Sequence, residues 1–162
     1  TEGLRDLQQK DQVENLLARL STRRGRLAER HGKHVPLVLK VAPDLEMEQV
    51  KSIARAVRTH RVEGVIATNT SVSREGVEGL PHASEAGGLS GKPLRERATR
   101  VLRLLVSELK NEATLIGAGG IFTRSDAREK IAAGASLVQI YTGLVYRGPG
   151  LVAECVSAFR AK

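Results

Sequence analysis

Residues 115–141 read Leu-Ile-Gly-Ala-Gly-Gly-Ile-Phe-Thr-Arg-Ser-Asp-Ala-Arg-Glu-Lys-Ile-Ala-Ala-Gly-Ala-Ser-Leu-Val-Gln-Ile-Tyr. An apolar run enters a glycine loop, a helix-like segment follows, and a second apolar run ends at Tyr141-Thr142. Strand, loop, helix and second strand in that order describe one unit of a parallel α/β sheet. Gly117, Gly119 and Gly120 carry no Cβ, so the backbone there can come close to a ligand. The amides of such a loop, backed by a helix N-terminus, suit a phosphate. The same glycines also suit a plain turn, since a glycine cluster alone is a weak motif.

Outward from this stretch the pattern repeats. Residues 37–42 (Leu-Val-Leu-Lys-Val-Ala) are the first strand, and a continuous apolar run of that length predicts a parallel strand buried on both faces. Lys40 interrupts it, which calls either for an anionic partner or for a lysine snorkelling at the strand end. Pro43 stops the strand, Asp44 is placed to cap the next helix, and Met47, Val50, Ala54 and Val57 mark that helix's buried side. Residues 64–67 are the second strand and run into Thr68-Asn69-Thr70. Short polar side chains at the C-terminal end of a parallel strand sit where barrels keep their chemistry, and they also simply start turns.

Residues 71–92 show no periodicity and include Gly76, Gly79, Pro81, Gly87, Gly88 and Gly91. Loops beyond about 12–15 residues in compact domains tend to be functional or disordered. Pro93 opens a helix whose apolar face is Leu94, Ala98, Val101, Leu102, Leu105 and Leu109. The third strand is 114–117. Thr123 or Ser125 caps a helix over 126–133, with Gly134 as its C′ residue. The fourth strand is 137–140. Gly148-Pro149 starts the last helix, with Val152, Cys155, Val156 and Phe159 toward the core.

At the other end, residues 1–10 are polar and irregular. Asp11 with Glu14 makes a capping box for a helix that shows Val13, Leu16, Leu17, Leu20 and Leu27 on one face and stops at Gly32. Arg19, Arg23, Arg24, Arg26 and Arg30 fall largely off that face and read as solvated surface.

The order is thus one helix, then four strand–helix units. At 162 residues a single domain is expected. Four units are half of a (β/α)8 barrel, which needs about 250 residues. The expected fold is therefore the C-terminal half of a TIM barrel, strands 5–8 preceded by a helix, across residues 1–162. In such barrels the phosphate site lies after strands 7 and 8, which puts it at the glycine loop and at Tyr141-Thr142.

Composition narrows the function. The chain is 41% hydrophobic with no Trp, two Tyr and two Phe, so its core is aliphatic. The net charge of +8 is scattered, and nothing aromatic is interleaved for base stacking, which argues against nucleic acid. His31, His34, His60 and His82 have no metal-ligand spacing. Cys155 is the single cysteine, so no internal disulfide forms, and its apolar helix face assigns it to packing. No apolar run reaches the ~18 residues of a membrane span. The chain opens Thr1-Glu2-Gly3 with no initiator Met, which suggests a fragment or a processed chain.

Five segments then become specific as a series: Lys40-Val41-Ala42-Pro43-Asp44-Leu45, Ala67-Thr68-Asn69-Thr70, Gly87-Gly88-Leu89-Ser90-Gly91-Lys92-Pro93-Leu94, Ile116-Gly117-Ala118-Gly119-Gly120-Ile121, and Ala133-Gly134-Ala135-Ser136-Leu137-Val138-Gln139-Ile140-Tyr141. In this order and spacing the chain resembles the C-terminal half of a class 2 dihydroorotate dehydrogenase, from the Thr1-Glu2-Gly3-Leu4-Arg5 stretch to Pro149. The Ala-Pro-Asp-Leu form of the first segment favours the quinone-linked class. The resemblance implies FMN-dependent oxidation of dihydroorotate to orotate in pyrimidine synthesis, with a quinone reoxidising the flavin.

By motif, it places Lys40 against the N1/O2 side of the flavin and Thr68 in contact with the flavin. Asn69 and Thr70 fall on orotate, and Gly91, Gly120, Tyr141 and Thr142 at the FMN phosphate. The family's catalytic serine falls upstream of Thr1, so no catalytic base is assigned within this chain. Ser71, Ser73, Ser84 and Ser90 are not assigned as substitutes. The missing barrel half and an N-terminal helical region at the membrane surface are the implied partners. The wording of Ile131-Ala132-Ala133-Gly134-Ala135 resembles bacterial members, which implies the cytoplasmic side of a bacterial inner membrane, with the mitochondrial inner membrane as the alternative. Two other readings stand beside this one. A stand-alone half-barrel could bind FMN or a phosphorylated ligand without catalysis. An inosinate-dehydrogenase relative would need a catalytic cysteine loop, and Cys155 sits in the last helix instead.

Overall fold

A computed structural model describes residues 10–160. The elements in order are α1 (Lys10–His31), β1 (Val38–Val41), α2 (Met47–Thr59), β2 (Gly64–Ala67), a 3-10 turn (Lys92–Leu94), α3 (Arg95–Leu109), β3 (Thr114–Ala118), α4 (Arg124–Ala132), β4 (Leu137–Gln139), α5 (Thr142–Arg147) and α6 (Gly150–Arg160). The four strands form one parallel sheet in the order β1-β2-β3-β4. Lys40 pairs with Ile66, Ile66 with Ile116, and Ile116 with Leu137. This is the sequential, all-parallel arrangement of half a barrel, as the repeating pattern predicts.

Among the described residues, helices cover one face of the sheet only. Leu39 and Val41 of β1, Val65 and Ala67 of β2 and Leu115 of β3 point into an aliphatic core with Val50, Ile53 and Val57 of α2 and with Val101, Leu102, Leu105 and Leu109 of α3. The apolar face expected for the helix after Pro93 is buried at every position named. A second cluster joins Ile121, Ala127, Leu151, Cys155 and Ala158, with Val138 packed on it. The opposite, concave face stays open. The expectation that β1 is buried on both faces is therefore corrected: Val38 and Lys40 are exposed and alternate with inward Leu39 and Val41. A continuous apolar run does not distinguish one covered face from two.

Other local expectations shift for physical reasons. The cap of α2 is Glu46, not Asp44: the Glu46 side chain takes the N3 amide while Gln49 returns to the Glu46 N–H. This places Met47 outside the buried stripe. Position 11, expected as the cap, lies within α1, its side chain outside what the structure describes, and Glu14 bonds His60 (2.6 Å). Gly32 does end α1, at φ +60°. Among the described side chains of α1, Val13 and Leu17 are the buried ones, and Leu20 and Leu27 are exposed. Arg24 departs from the solvated group: with 18% of its side chain exposed, it pairs with Glu63. In α6 the buried residues are Leu151, Cys155 and Ala158, whereas Val152, Val156 and Phe159 lie open beside Leu137 of β4. Helix α5, six residues after Tyr141, is too short to show an amphipathic period. The irregular stretch expected over residues 1–10 falls, for residues 1–9, outside the described residues.

Candidate functional site

A cleft of about 280 Å³ opens at the C-terminal ends of the four strands. Each strand end delivers part of it. Lys40 comes from β1, Thr68, Asn69 and Thr70 follow β2, Gly119 and Gly120 follow β3, and Gln139, Tyr141 and Thr142 finish β4. Ser90 and Gly91 arrive from the long loop, and Leu94 closes the floor. All eight residues singled out from the sequence line this one cleft. Lys40 and Gly120 share it although 80 positions separate them.

The β2 end is pinned across three strands. Thr68 N–H donates to Ala118 C=O (3.0 Å), and Asn69 N–H donates to Val41 C=O (2.7 Å). The buried Thr68 hydroxyl donates to the Asn69 carbonyl (3.0 Å). Thr70 faces Gly88 so closely that a Cβ there would lie 1.9 Å from its Oγ1.

The loop between β2 and the 3-10 turn is ordered by its own polar groups. Ser71 and Leu89 exchange backbone hydrogen bonds of 3.0 and 2.8 Å. Arg74 donates to the carbonyls of Val72, Ala83, Glu85 and Gly87. Asp44 accepts from the Ser71 hydroxyl and the Val72 amide and pairs with Arg97 (3.1 Å). Arg97 also pairs with Glu75. Asp44 is thus a strand-end tether for the loop, which explains why it does not cap α2.

At the glycine-lined part of the cleft the backbone is bare. Gly91, Gly119 and Gly120 have φ of +86°, +101° and +73°, a region that glycine occupies without strain. A Cβ on Gly120 would lie 2.7 Å from the Arg95 nitrogen, and one on Gly143 would lie 2.0 Å from the Ile121 oxygen. Thr142 donates its hydroxyl to Ser90 Oγ (3.0 Å), drawing the β4 end to the loop. These close approaches mean that only glycine lets the chain after β3 pack on the start of α3, and the start of α5 pack on Ile121, at this end of the cleft.

Among the described residues Lys40 has no anionic partner of the kind a buried lysine would need. It is exposed to the cleft, and its Nζ donates to Gln139 Oε1 at 3.2 Å. No motif in the sequence singles out Gln139. Its signal was position: it lies two residues before Tyr141, and strand alternation turns it away from the Val138 side that packs on α6.

Behind the glycine loop lies a polar cluster that the sequence did not reveal. Lys130 is fully buried, and its Nζ donates to the Arg95 carbonyl (2.9 Å) and to Thr99 Oγ1 (2.5 Å). Burial lowers its pKa from 10.5 to about 8. Gly117 makes room for it, since a Cβ there would lie 2.9 Å from Lys130 Cβ. Burial by itself would raise the Asp126 pKa, but hydrogen bonds from Phe122 N–H, Thr123 and Arg95 outweigh it and hold the carboxyl below its ordinary value. The spacing of Asp126, Ala127 and Lys130 on one side of α4 was the available clue. Burial raises the pKa of the Cys155 thiol, in keeping with a packing role. Among the described residues no group of His, Cys, Asp and Glu could hold a metal ion.

Comparison with known proteins places the chain in a family. The family model for dihydroorotate dehydrogenase matches residues 1–161. Proteins named dihydroorotate dehydrogenase (quinone) from Burkholderia thailandensis and Burkholderia pseudomallei are each 58% identical over 158 residues, which is 98% of this chain and 46% of theirs. Among solved structures, DHODH from Eimeria tenella in complex with ferulenol superposes with a TM-score of 0.91 at 32% identity, and its ligand-free form with 0.89 at 33%. Both alignments cover 98% of this chain, and 46% and 47% of those chains. The chain therefore spans about half the length of the relatives it matches.

Proposed function

The chain belongs to the dihydroorotate dehydrogenase family, and from that premise we propose that it is the carboxy-terminal part of an FMN-dependent enzyme that oxidises (S)-dihydroorotate to orotate in pyrimidine biosynthesis and passes the electrons to a quinone. The observation that carries this reading is the cleft itself, in which a lysine ammonium held by a neutral amide and a stretch of bare glycine backbone line one hollow. When bound, FMN supplies the hydride-accepting chemistry. Lys40 offers its remaining N–H donors to the electron-rich edge of the isoalloxazine, where a fixed cation favours the reduced state. Thr68, anchored on Ala118, holds the ring's position. Asn69 and Thr70 bind orotate by hydrogen bonds from a segment already fixed to Val41 and Gly88. Gly91, Gly120, Tyr141 and Thr142 take the phosphate.

The proton at substrate C5 is assigned to a base outside these residues. Ser71 is committed to Asp44, and Ser90 accepts the Thr142 hydrogen bond. Quinone and membrane contact are likewise assigned to another part of the protein, peripheral on the cytoplasmic side of a bacterial inner membrane.

The test uses the chain as it stands and a chimera in which it replaces the matched segment of the Burkholderia thailandensis relative. The chain alone is expected to bind FMN weakly and to reduce no dye with dihydroorotate. The chimera is expected to turn over. Lys40→Ala in the chimera should slow flavin reduction by dihydroorotate about tenfold or more, the scale of a charge-assisted hydrogen bond. An inactive chimera that folds and binds FMN, or an unchanged reduction rate in Lys40→Ala, refutes the assignment.

A further inference from the structure

We infer that Gln139 is a positioning residue for Lys40: its side-chain amide, reaching from the last strand of the sheet, fixes the direction of an ammonium carried by the first. The inference rests on the FMN reading for its purpose, but its geometry stands independently. β1 and β4 are not neighbours, since β2 and β3 lie between them. Only the curvature of the sheet brings Lys40 Nζ within 3.2 Å of Gln139 Oε1. Both side chains line the cleft and are exposed to it. Among the described residues Lys40 has no carboxylate partner, and this amide is its hydrogen-bonded anchor.

The choice of an amide has a chemical consequence. An ammonium has three donors and no acceptor, so one bond to Gln139 leaves two for a ligand. A four-carbon stem in an open cleft carries large rotamer freedom. A neutral acceptor restrains that freedom and leaves the positive charge whole. A carboxylate at position 139 would restrain it equally and cancel much of the charge. The β4 end therefore acts twice, since Gln139 orients the cation two residues before Tyr141 and Thr142 meet the glycine-lined part of the cleft. One strand end sets the distance between the two ends of the ligand.

Two measurements test this. In the ligand-free chain, relaxation of the Lys40 Cε resonance should report a restrained side chain, and Gln139→Leu should release it. In the FMN titration, Gln139→Leu should weaken binding roughly fivefold, the equivalent of one neutral hydrogen bond, yet add almost nothing in a Lys40→Ala background. In the chimera, Gln139→Glu should keep Lys40 restrained while lowering the midpoint potential of the bound flavin. Equal losses from Gln139→Leu in both backgrounds, or a Lys40 side chain equally mobile with and without Gln139, would overturn the inference. If the unaltered chain and chimera bind no FMN, the flavin reading fails, and the relaxation experiment still decides whether Gln139 orients Lys40.

Discussion

Among the described residues Lys130 has the most strongly shifted titration. Its pKa in the fold is about 8, below the ordinary 10.5, because burial penalises the charged form. Between those two values the unfolded chain binds more protons than the folded one, so stability rises with pH through this window. Below about pH 8 the full cost of burying the charge is present, on the order of 3 kcal/mol. Lys130→Met removes that cost and strands no partner, because Thr99 still donates to the Arg95 carbonyl (2.8 Å). Urea unfolding at pH 7, 8.5 and 10 should therefore find Lys130→Met at least as stable as the parent at pH 7, with a flatter rise above pH 8. Parallel pH slopes in parent and variant would contradict this. At the same scale, the sequence located the cleft's residues better than their surroundings. Thr68, Asn69, Thr70 and the glycines stand at strand ends, and strand ends are legible. Lys40's partner was not, because no spacing rule links positions 40 and 139. They meet only through sheet curvature.

Among the elements, α4 is held by its first turn as well as by the packing of Ala127 and Ile131 on α6. Thr123 caps it by accepting from the Asp126 amide (3.2 Å) and donates its own hydroxyl to the Asp126 carboxylate (2.9 Å). Asp126 in turn takes Phe122 N–H and Arg95. Thr123→Ala should cost about 1 kcal/mol or slightly more, measured by chemical denaturation. Because the same carboxylate fixes the chain just after Gly120, the variant should also weaken FMN binding. Thr123→Ser should restore both, whereas a loss of stability with unchanged FMN affinity would separate the cap from the glycine-lined backbone. The cap was readable as Thr123 or Ser125, and the structure selects Thr123. α5 was not readable, since six residues carry less than two full turns of pattern. The cap of α2 was misassigned because Asp44, the better capping residue by type, is drawn instead to Ser71, Val72 and Arg97. Tertiary partners overrode local propensity there.

For the whole molecule, the alternation of apolar runs and helical faces sufficed to give a parallel sheet in sequential order, and length gave its extent. What periodicity could not give was which apolar residues the described fold leaves uncovered. Leu137, Val152, Val156 and Phe159 form one exposed patch beside β4, and Leu20 and Leu27 lie exposed on α1. Unpaired strand edges next to apolar surface favour association. The chain alone should show concentration-dependent self-association in sedimentation, and Leu137→Lys with Val156→Lys should reduce it while leaving the α2–α3 core intact. A monodisperse monomer at high concentration would count against that. One bond across the concave face has a reach wider than its length. Lys40 and Gln139 tie the two outermost strands as a string ties the tips of a bow, so whatever flattens the bow parts the string, and the charge at the mouth of the hollow becomes a gauge of how tightly the sheet is bent.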